Sequence, residues 1–309
     1  MIYVTGDTHG GIDVKKLLDP QLEKKIGEDD YLIICGDFGF IWNPSGESAK
    51  ERSWLDWFEQ KPWTTLFVDG NHECFPRLYQ YSEAVWNGGV VHVIRPHVLH
   101  LCRGQLFEIE GKKIFTLGGA SSHDRGPAVG EKNSKGWYPE EVPSIAELQI
   151  AADTLRSTYY TVDYIITHCL PTNLNSEITD GKYKADRLTD FLQEHRPRLH
   201  YEHWYCGHYH MDRDLKNRIT VLYHSIIPLG SNVGDGKPVK GQARYRRTDQ
   251  VSFMYNGCQC NGEIIVALPY GGLKVRDQPA YNIQYFDGKK TRTATMVPES
   301  DIIGVISLD

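Results

Sequence analysis

Short apolar runs alternate with helical patterns along the first part of the chain. Residues 2–5, 31–35 and 65–68 are continuous apolar runs of strand length, and a glycine follows each of them within two residues. Between these runs, residues 14–26 and 50–59 carry apolar side chains at helical spacing. Continuous apolar strands that alternate with amphipathic helices are typical of a layered α/β fold.

The middle of the chain has a different pattern. Four apolar runs in close succession predict a β-meander, with Glu110-Gly111 at its last tight turn: residues 90–94, 98–102, 106–109 and 113–117. Beyond them, helical spacing and separate apolar runs return. We predict helices over 145–155 and 187–195, and strands over 163–167, 204–206 and 219–227.

The C-terminal part contains only strand-like runs. Residues 230–247 are rich in glycine, lysine, arginine and proline, a composition typical of a linker. The runs that follow are short: residues 251–255, 263–268, 273–275, 281–286, 291–297 and 302–308, with Asp287-Gly288 at a hairpin turn. We therefore predict a large α/β domain over residues 1–233, a linker over 234–248 and a small β-barrel-like module, similar to an SH3 domain, over 249–309.

Composition narrows the class of protein. The chain has 309 residues, 40% of them hydrophobic and 24% charged, which is typical of a soluble globular protein. Its net charge of -6 argues against a protein that lives on nucleic acid, where a basic face is expected. The seven cysteines are odd in number and scattered, which argues against a disulfide framework. No apolar stretch approaches the roughly 20 residues that span a membrane, and no signal-peptide pattern is present, so we expect a cytoplasmic protein.

The strand ends carry the candidate chemistry. Aspartate, histidine and asparagine recur just after predicted strands: Asp7, His9, Asp37, Asn71, His72, His168, His208 and His210. In open α/β sheets, sites form outside the carboxyl ends of the strands, so these residues are expected to converge. Mixed carboxylate and imidazole ligands suit manganese, iron and zinc. Two such metals about 3.5–4 Å apart need an anionic ligand that bridges them, and Asp37 is the candidate.

The ordered set of motifs resembles a known family. Gly-Asp-Thr-His-Gly (6–10), Gly-Asp (36–37), Gly-Asn-His-Glu (70–73), Thr-His (167–168) and Gly-His-Tyr-His (207–210) are similar to the five signature blocks of the calcineurin-like metallophosphoesterases. The resemblance covers residues 1–230 and implies a four-layer αββα sandwich. Segments 86–89, 118–124 and 181–184 resemble a subgroup found in bacteria and phages, and the C-terminal module is then an addition to the common core.

The resemblance also implies a metal site with two divalent ions, with manganese expected first and iron, zinc or nickel as alternatives. The first ion is expected on Asp7, His9, Asp37 and His210, and the second on Asp37, Asn71, His168 and His208. His72 would not be a ligand but would donate a proton to the leaving oxygen or stabilise charge there. Whether Asp69 or Glu73 orients His72 is left open.

The function implied is hydrolysis of a phosphodiester or phosphomonoester, with a nucleotide-like substrate, by attack of a hydroxide that bridges the metals. One alternative is a nuclease or nucleic-acid end-processing enzyme, which needs a basic groove that the sequence lacks. A protein phosphatase is disfavoured, because the arginine that such enzymes carry soon after the second Gly-Asp is absent after Asp37. A non-catalytic scaffold is disfavoured because every ligand position is filled, and the C-terminal module is left as a candidate for binding a partner or pairing subunits.

The substrate pocket is the least defined part of the prediction. His123, Asp124 and Arg125 follow a strand and a Gly-Gly turn and are the first candidates to line it. Other candidate phosphate clamps, each expected to be solvated instead, are Arg77, Lys182, Lys184 and Arg187. The remaining histidines, His92 and His100 among them, are expected to have structural or surface roles.

Overall fold

The computed structural model describes residues 1–122, 137–234, 243–272, 274–276 and 278–306. The chain divides into two compact units. The first contains residues 1–209 and 214–233, and the second contains residues 210–213 and 234–309. The finer division into a linker over 234–248 and a module over 249–309 stays a prediction.

Two β-sheets form the frame of the first unit. Their strands are, in chain order, β1 Ile2–Thr5, β2 Tyr31–Ile34, β3 Thr64–Phe67, β4 Glu83–Trp86, β5 Gly89–Arg95, β6 Val98–Leu101, β7 Gln105–Ile109, β8 Lys112–Leu117, β9 Tyr164–Thr167, β10 His203–Cys206, β11 Arg213–Leu215, β12 Ile219–Val221 and β13 Ile226–Pro228. The first sheet has the order β13-β1-β2-β3-β6-β5-β4, and the second has the order β11-β12-β10-β9-β8-β7. Strands β1, β2, β3 and β6 run parallel, as do β8, β9, β10 and β12.

The two sheets pack face to face across an apolar layer. In β1 and β2, Ile2, Val4 and Ile33 point into this layer. The second sheet supplies Ile114, Ile166 and other buried apolar residues to it. Since successive side chains of a strand point to opposite faces, the intervening residues of these runs are buried on the other side.

Helices cover the outer faces. They are α1 Leu22–Lys25, α2 Ala49–Glu59, α3 Phe75–Leu78, α4 Ile145–Ser157, α5 Thr172–Ile178 and α6 Arg187–His195. Helix α2 buries Leu55 and Phe58 against Leu32 and Phe67 of the first sheet. Its start is fixed by a capping box, in which Ser48 and Glu51 each bond the other's main-chain N–H. The α/β sandwich implied by the resemblance is confirmed.

Three predictions for the first unit were wrong in detail. The four runs predicted as one β-meander form two hairpins in different sheets: β5 pairs β6 in the first, and β7 pairs β8 in the second. Residues 219–227 likewise form two short strands in different sheets. The helix predicted over 14–26 is a 3₁₀ turn, Val14–Leu18, followed by α1. Pro20 lies between the two pieces, and proline removes the N–H that would continue a helix.

The second unit is an all-β structure, as predicted. Its strands are β14 Gln250–Tyr255, β15 Cys258–Leu268, β16 Ala280–Phe286, β17 Thr291–Pro298 and β18 Ile302–Val305. They form one antiparallel sheet in the order β17-β16-β15-β14-β18. Phe253, Ile264 and Ile283 form its core, and the buried Tyr281 hydroxyl donates to Glu299. Of the strand predicted over 273–275, residue 273 lies outside the described residues and the rest is not a strand.

The helices of the described residues are too short or too polar to cross a membrane.

Candidate metal centre

The carboxyl ends of parallel strands from both sheets meet at one edge of the sandwich. Asp7 and His9 follow β1, Asp37 follows β2, and His168 and His208 follow β9 and β10. The backbone at this edge is unusual, since His9, Asp37 and His208 all have positive φ angles of 41°, 47° and 70°. Non-glycine residues in this conformation are costly and cluster at functional sites.

One oxygen of Asp37 lies between two imidazoles. Its Oδ2 atom is 3.1 Å from Nε2 of His9 and 3.2 Å from Nε2 of His168. The other oxygen, Oδ1, accepts a hydrogen bond from the main-chain N–H of His72 at 2.8 Å. Close packing holds the carboxylate there, because a Cβ on Gly70 would lie 2.0 Å from Oδ1. Asp37 is completely buried in this position at 1% exposure.

Both imidazoles are oriented through their other nitrogen. Nδ1 of His9 lies 2.7 Å from a carboxylate oxygen of Asp13, and Nδ1 of His168 lies 2.8 Å from the main-chain oxygen of Cys35. Because both partners only accept, each Nδ1 carries the proton and donates. With Nε2 deprotonated, each ring presents the lone pair of that nitrogen on the side of Asp37. Histidine ligands usually have this arrangement: one ring nitrogen binds the metal, and the other donates a hydrogen bond to a protein oxygen.

Two ligand-type atoms at this edge have nothing to bond. Nε2 of His168 and Oδ1 of Asn71 are buried, and neither has a hydrogen-bond partner among the described residues. Nε2 of His168 lies 3.2 Å from Oδ2 of Asp37, but the pair does not have the geometry of a hydrogen bond. Buried polar atoms without partners are rare and call for an ion or a water. The donor set therefore fits a divalent cation.

The ligand-type atoms form overlapping groups. Those of Asp37, His168 and His208 lie within 4.8 Å of one another, as do those of His9, Asp37 and His72. Asp37 belongs to both groups.

Asp7 is fixed from two sides. Its carboxylate accepts the main-chain N–H of His208 at 3.0 and 3.2 Å. The buried ammonium of Lys16 donates to the main-chain oxygens of Gly6, Asp7 and Tyr223. The lysine thus ties the loop after β1 to the chain after β12 and places a positive charge behind Asp7.

The carboxylates make this edge strongly attractive to cations. Burial by itself would lower the pKa of His168, but the charges of Asp37 and Asp7 raise it to about 9. Burial opposes ionisation of Asp37 too, yet the imidazoles of His168 and His72 hold its pKa well below the ordinary value. The field that draws protons to His168 also draws metal ions, and the two compete for the same lone pair.

His72 is exposed at the mouth of the site, with its ring centroid 5.1 Å from that of His9. The nearby carboxylates of Glu73 and Asp69 do not bond the His72 ring. Glu73 accepts from the main-chain N–H groups of Phe38 and Gly39. Asp69 bonds His100 and pairs with the buried guanidinium of Arg103. Both acids therefore position the loops on which His72 and Asp37 are carried.

The remaining predicted site residues fall elsewhere. His210, two residues after His208, belongs to the second unit, and its role as a ligand stays a prediction. His123, Asp124 and Arg125 lie outside the described residues. Two of the candidate phosphate clamps bond main-chain oxygens: Arg77 donates to Asn43, and Arg187 donates to Val142 and Pro143. Lys182 and Lys184 are exposed.

Several residues near the site were not predicted from the sequence. Asp13, Cys35 and Lys16 are described above, and Ser122 accepts from Nδ2 of Asn71 at 3.3 Å. The ring centroid of Tyr183 lies 5.4 Å from that of His208. Asp13 lies four residues after His9, which is a usable signal, but a carboxylate at that spacing is most often solvated.

Comparison with known protein families gives a match over the N-terminal two thirds of the chain. The model of the calcineurin-like phosphoesterase family matches residues 1–212, which is most of the chain. No curated protein matches the sequence. The matched range contains every strand end described above. The chain therefore belongs to the calcineurin-like phosphoesterase family, whose members hydrolyse phosphoesters with the help of divalent metal ions.

Proposed function

We propose that this protein is a dinuclear phosphoesterase that hydrolyses a small, nucleotide-like phosphodiester or phosphomonoester. The observation that carries the proposal is the position of Asp37 Oδ2 between Nε2 of His9 and Nε2 of His168. A single-metal site needs no carboxylate shared in this way. Asp7, His9 and His210 would hold one ion. Asn71, His168 and His208 would hold the other, and Asp37 would bridge the two.

A pair of bound divalent ions supplies an activated water as the nucleophile and offsets negative charge on the phosphoryl group. The protein's own residues do the rest. Asp37, His9 and His168 are each held by a buried or partly buried hydrogen bond, so the site is organised before the substrate arrives. His72 is exposed at the mouth and donates a proton to the leaving oxygen.

The chain after Asp37 supports a small substrate over a phosphoprotein. Phe38, Phe40 and Ile41 are all buried at 1% exposure or less. The segment is thus used for packing and offers no basic side chain to a phosphate. This matches the absence of the arginine typical of protein phosphatases.

The test compares two chromogenic substrates after metal removal and readdition of Mn²⁺. Bis-p-nitrophenyl phosphate reports diesterase activity and p-nitrophenyl phosphate reports monoesterase activity. Asp37→Asn should lose both metal and turnover. His72→Gln should keep its metal content but lose about 10²–10⁴-fold in kcat. Asp19→Asn, an exposed carboxylate, is the matched control and should be unchanged in both.

Two results would contradict the proposal. Binding of a single equivalent of Mn²⁺ by the intact chain would remove the bridging role of Asp37. Full metal loading without turnover of either substrate, or of nucleotide diesters, would remove the hydrolytic role. Turnover that appears only with DNA or RNA, and falls steeply with salt, would favour a nuclease instead.

A further inference from the structure

A second group of metal-type side chains lies away from the strand ends. His92 on β5 and His100 on β6 are directly opposite each other in an antiparallel pair, so their side chains share one face of the first sheet. Cys102 follows two residues after His100 and lies on the same face. The part of the chain that the structure describes has no other such group outside the candidate metal centre.

The three ligand atoms converge. Nδ1 of His92 and Nδ1 of His100 are 2.9 Å apart, and Sγ of Cys102 is 3.5 Å from Nδ1 of His92. All three atoms lie within 4.8 Å of one another. Around a tetrahedral Zn²⁺, ligand atoms at normal bond lengths would be about 3.3–3.6 Å apart. The sulfur already has this spacing to Nδ1 of His92, and the two nitrogens would reach it by a small rotation of one ring.

The outer nitrogens support the same arrangement. Nε2 of His100 is 3.1 Å from Oδ1 of Asp69, and that carboxylate is held by Arg103. A carboxylate paired with arginine only accepts, so His100 donates Nε2–H and turns the lone pair of Nδ1 toward His92 and Cys102. Nε2 of His92 lies 3.8 Å from the exposed carboxylate of Glu83, which is an ion-pair distance and not a hydrogen bond. Carboxylates behind histidine rings are the usual partners of metal-bound imidazoles.

The group is accessible. It borders a cavity of about 340 Å³ that is also lined by Tyr79, Glu83 and Glu147. Cys102 is partly exposed to it, while His92 and His100 are buried. Three protein ligands beside a cavity leave a fourth position for water or a small ligand.

We propose that His92, His100 and Cys102 form a mononuclear site for a thiophilic transition metal of the Zn²⁺ class, separate from the dinuclear centre. Two imidazoles and a thiolate select such metals over manganese and magnesium. Burial raises the pKa of the Cys102 thiol to about 12, so the metal displaces the thiol proton into solvent when it binds. Through His100 and Asp69 the bound ion would brace the loop that carries Asn71 and His72.

Cobalt tests the site, because Co²⁺ bound to a thiolate gives an intense charge-transfer band in the near ultraviolet. The proposed dinuclear centre has no sulfur ligand and gives none. The metal-free full-length chain, kept reduced, is titrated with Co²⁺. We expect the band to saturate at the absorbance of one thiolate-bound Co²⁺ per chain and to persist in Asp37→Asn.

Substitutions of single residues identify the sulfur atom that binds Co²⁺. Cys102→Ser and Cys102→Ala should abolish the band, and His92→Gln should weaken Co²⁺ binding at this site by more than about tenfold. Cys258→Ser and Cys260→Ser are the matched controls, since this cysteine pair lies on β15 of the second unit. Both variants should keep the charge-transfer band. Circular dichroism checks that each variant is folded.

Two outcomes would overturn the proposal. If Co²⁺ binds without any thiolate band, His92 and His100 are a hydrogen-bonded pair and Cys102 only packs beside them. If the band disappears in Cys258→Ser or Cys260→Ser and survives in Cys102→Ala, the thiophilic site is in the second unit.

Discussion

Gly36 lies so close to the ring of His168 that a Cβ built on it would fall 2.1 Å from Nδ1. No side chain other than hydrogen fits there unless the imidazole moves. The contact links a backbone atom of the loop after β2 to a proposed ligand after β9. The spacing of the two sheets at this edge therefore depends on a glycine.

Gly36→Ala should displace His168 and break its hydrogen bond to the carbonyl of Cys35. We expect the variant to hold no more than one of the two proposed metal ions and to lose at least about tenfold in kcat/KM. Metal analysis of the dialysed protein and steady-state kinetics measure the two effects.

Gly88→Ala is the control for backbone strain. Gly88 has φ of +91°, near the +98° of Gly36, but its added Cβ would meet only the oxygen of Leu106 at an ordinary 3.6 Å. We expect it to cost about 1 kcal/mol of stability and no metal. Equal metal content in the two variants would contradict the role given to Gly36.

Asp13 should control the metal affinity of the site through His9, because its carboxylate accepts a hydrogen bond from Nδ1 of His9 at 2.7 Å. Asp13→Ala removes the acceptor and leaves the ring free to turn, so metal affinity or activity should fall by about 10–100-fold. Asp13→Asn keeps an acceptor oxygen and should lose less. Calorimetric titration of the metal-free protein with Mn²⁺ measures both, and Asp19→Ala at an exposed site serves as the reference. Affinities equal to the wild type would refute the positioning role.

The positions of the candidate ligands at the strand ends were predictable because their cause is simple. A buried parallel strand is a continuous apolar run, and its carboxyl end meets those of its neighbours. Asp37 and His168 are far apart in sequence, but Asp37 comes three residues after the end of β2 and His168 immediately follows β9. The type of residue at each strand end then suffices to suggest a metal site.

The orienting residues were not predictable in the same way. Lys16 lies in an amphipathic stretch where a lysine is usually solvated, and its burial depends on carbonyls from residues 6, 7 and 223. The split of the predicted meander had a similar cause. An apolar run specifies a strand, but the sheet that it joins depends on where the chain crosses after residue 102, which leaves no periodic pattern.

The buried ion pair of Arg103 and Asp69 should matter greatly for stability. The guanidinium bonds Asp69 at 2.9 Å through Nε, and both side chains are at most 3% exposed. Arg103→Met leaves the carboxylate buried without its charged partner, which should cost about 3–5 kcal/mol. Urea denaturation gives the free energy of unfolding.

Arg52→Met provides the comparison, because Arg52 pairs with Glu47 at 2.9 Å while its side chain is 65% exposed. Exposed pairs contribute about 0–1 kcal/mol. Similar losses from the two variants would mean that the loop after β3 does not depend on Arg103.

The last prediction concerns acid stability and His203 on β10. Its ring is buried, and Nε2 lies 2.8 Å from the hydroxyl oxygen of Thr220, which itself donates to Asp214. Burial lowers the pKa of His203; the Asp214 carboxylate opposes this change and the Arg218 guanidinium adds to it. The unfolded chain, with a histidine pKa of about 6.5, therefore binds this proton more readily than the folded chain.

The contribution of neutral His203 to stability is consequently full above about pH 6.5 and is lost as the pH falls toward its folded-state pKa. His203→Gln cannot be protonated but can still donate to Thr220, so its stability should fall less than that of the wild type between neutral pH and about pH 5. Urea denaturation over this range measures the difference. His97→Gln, at a side chain that is 60% exposed, controls for the loss of a histidine. Parallel pH profiles for the wild type and His203→Gln would mean that His203 binds its proton equally well in both states, and acid sensitivity would then have to come from other groups.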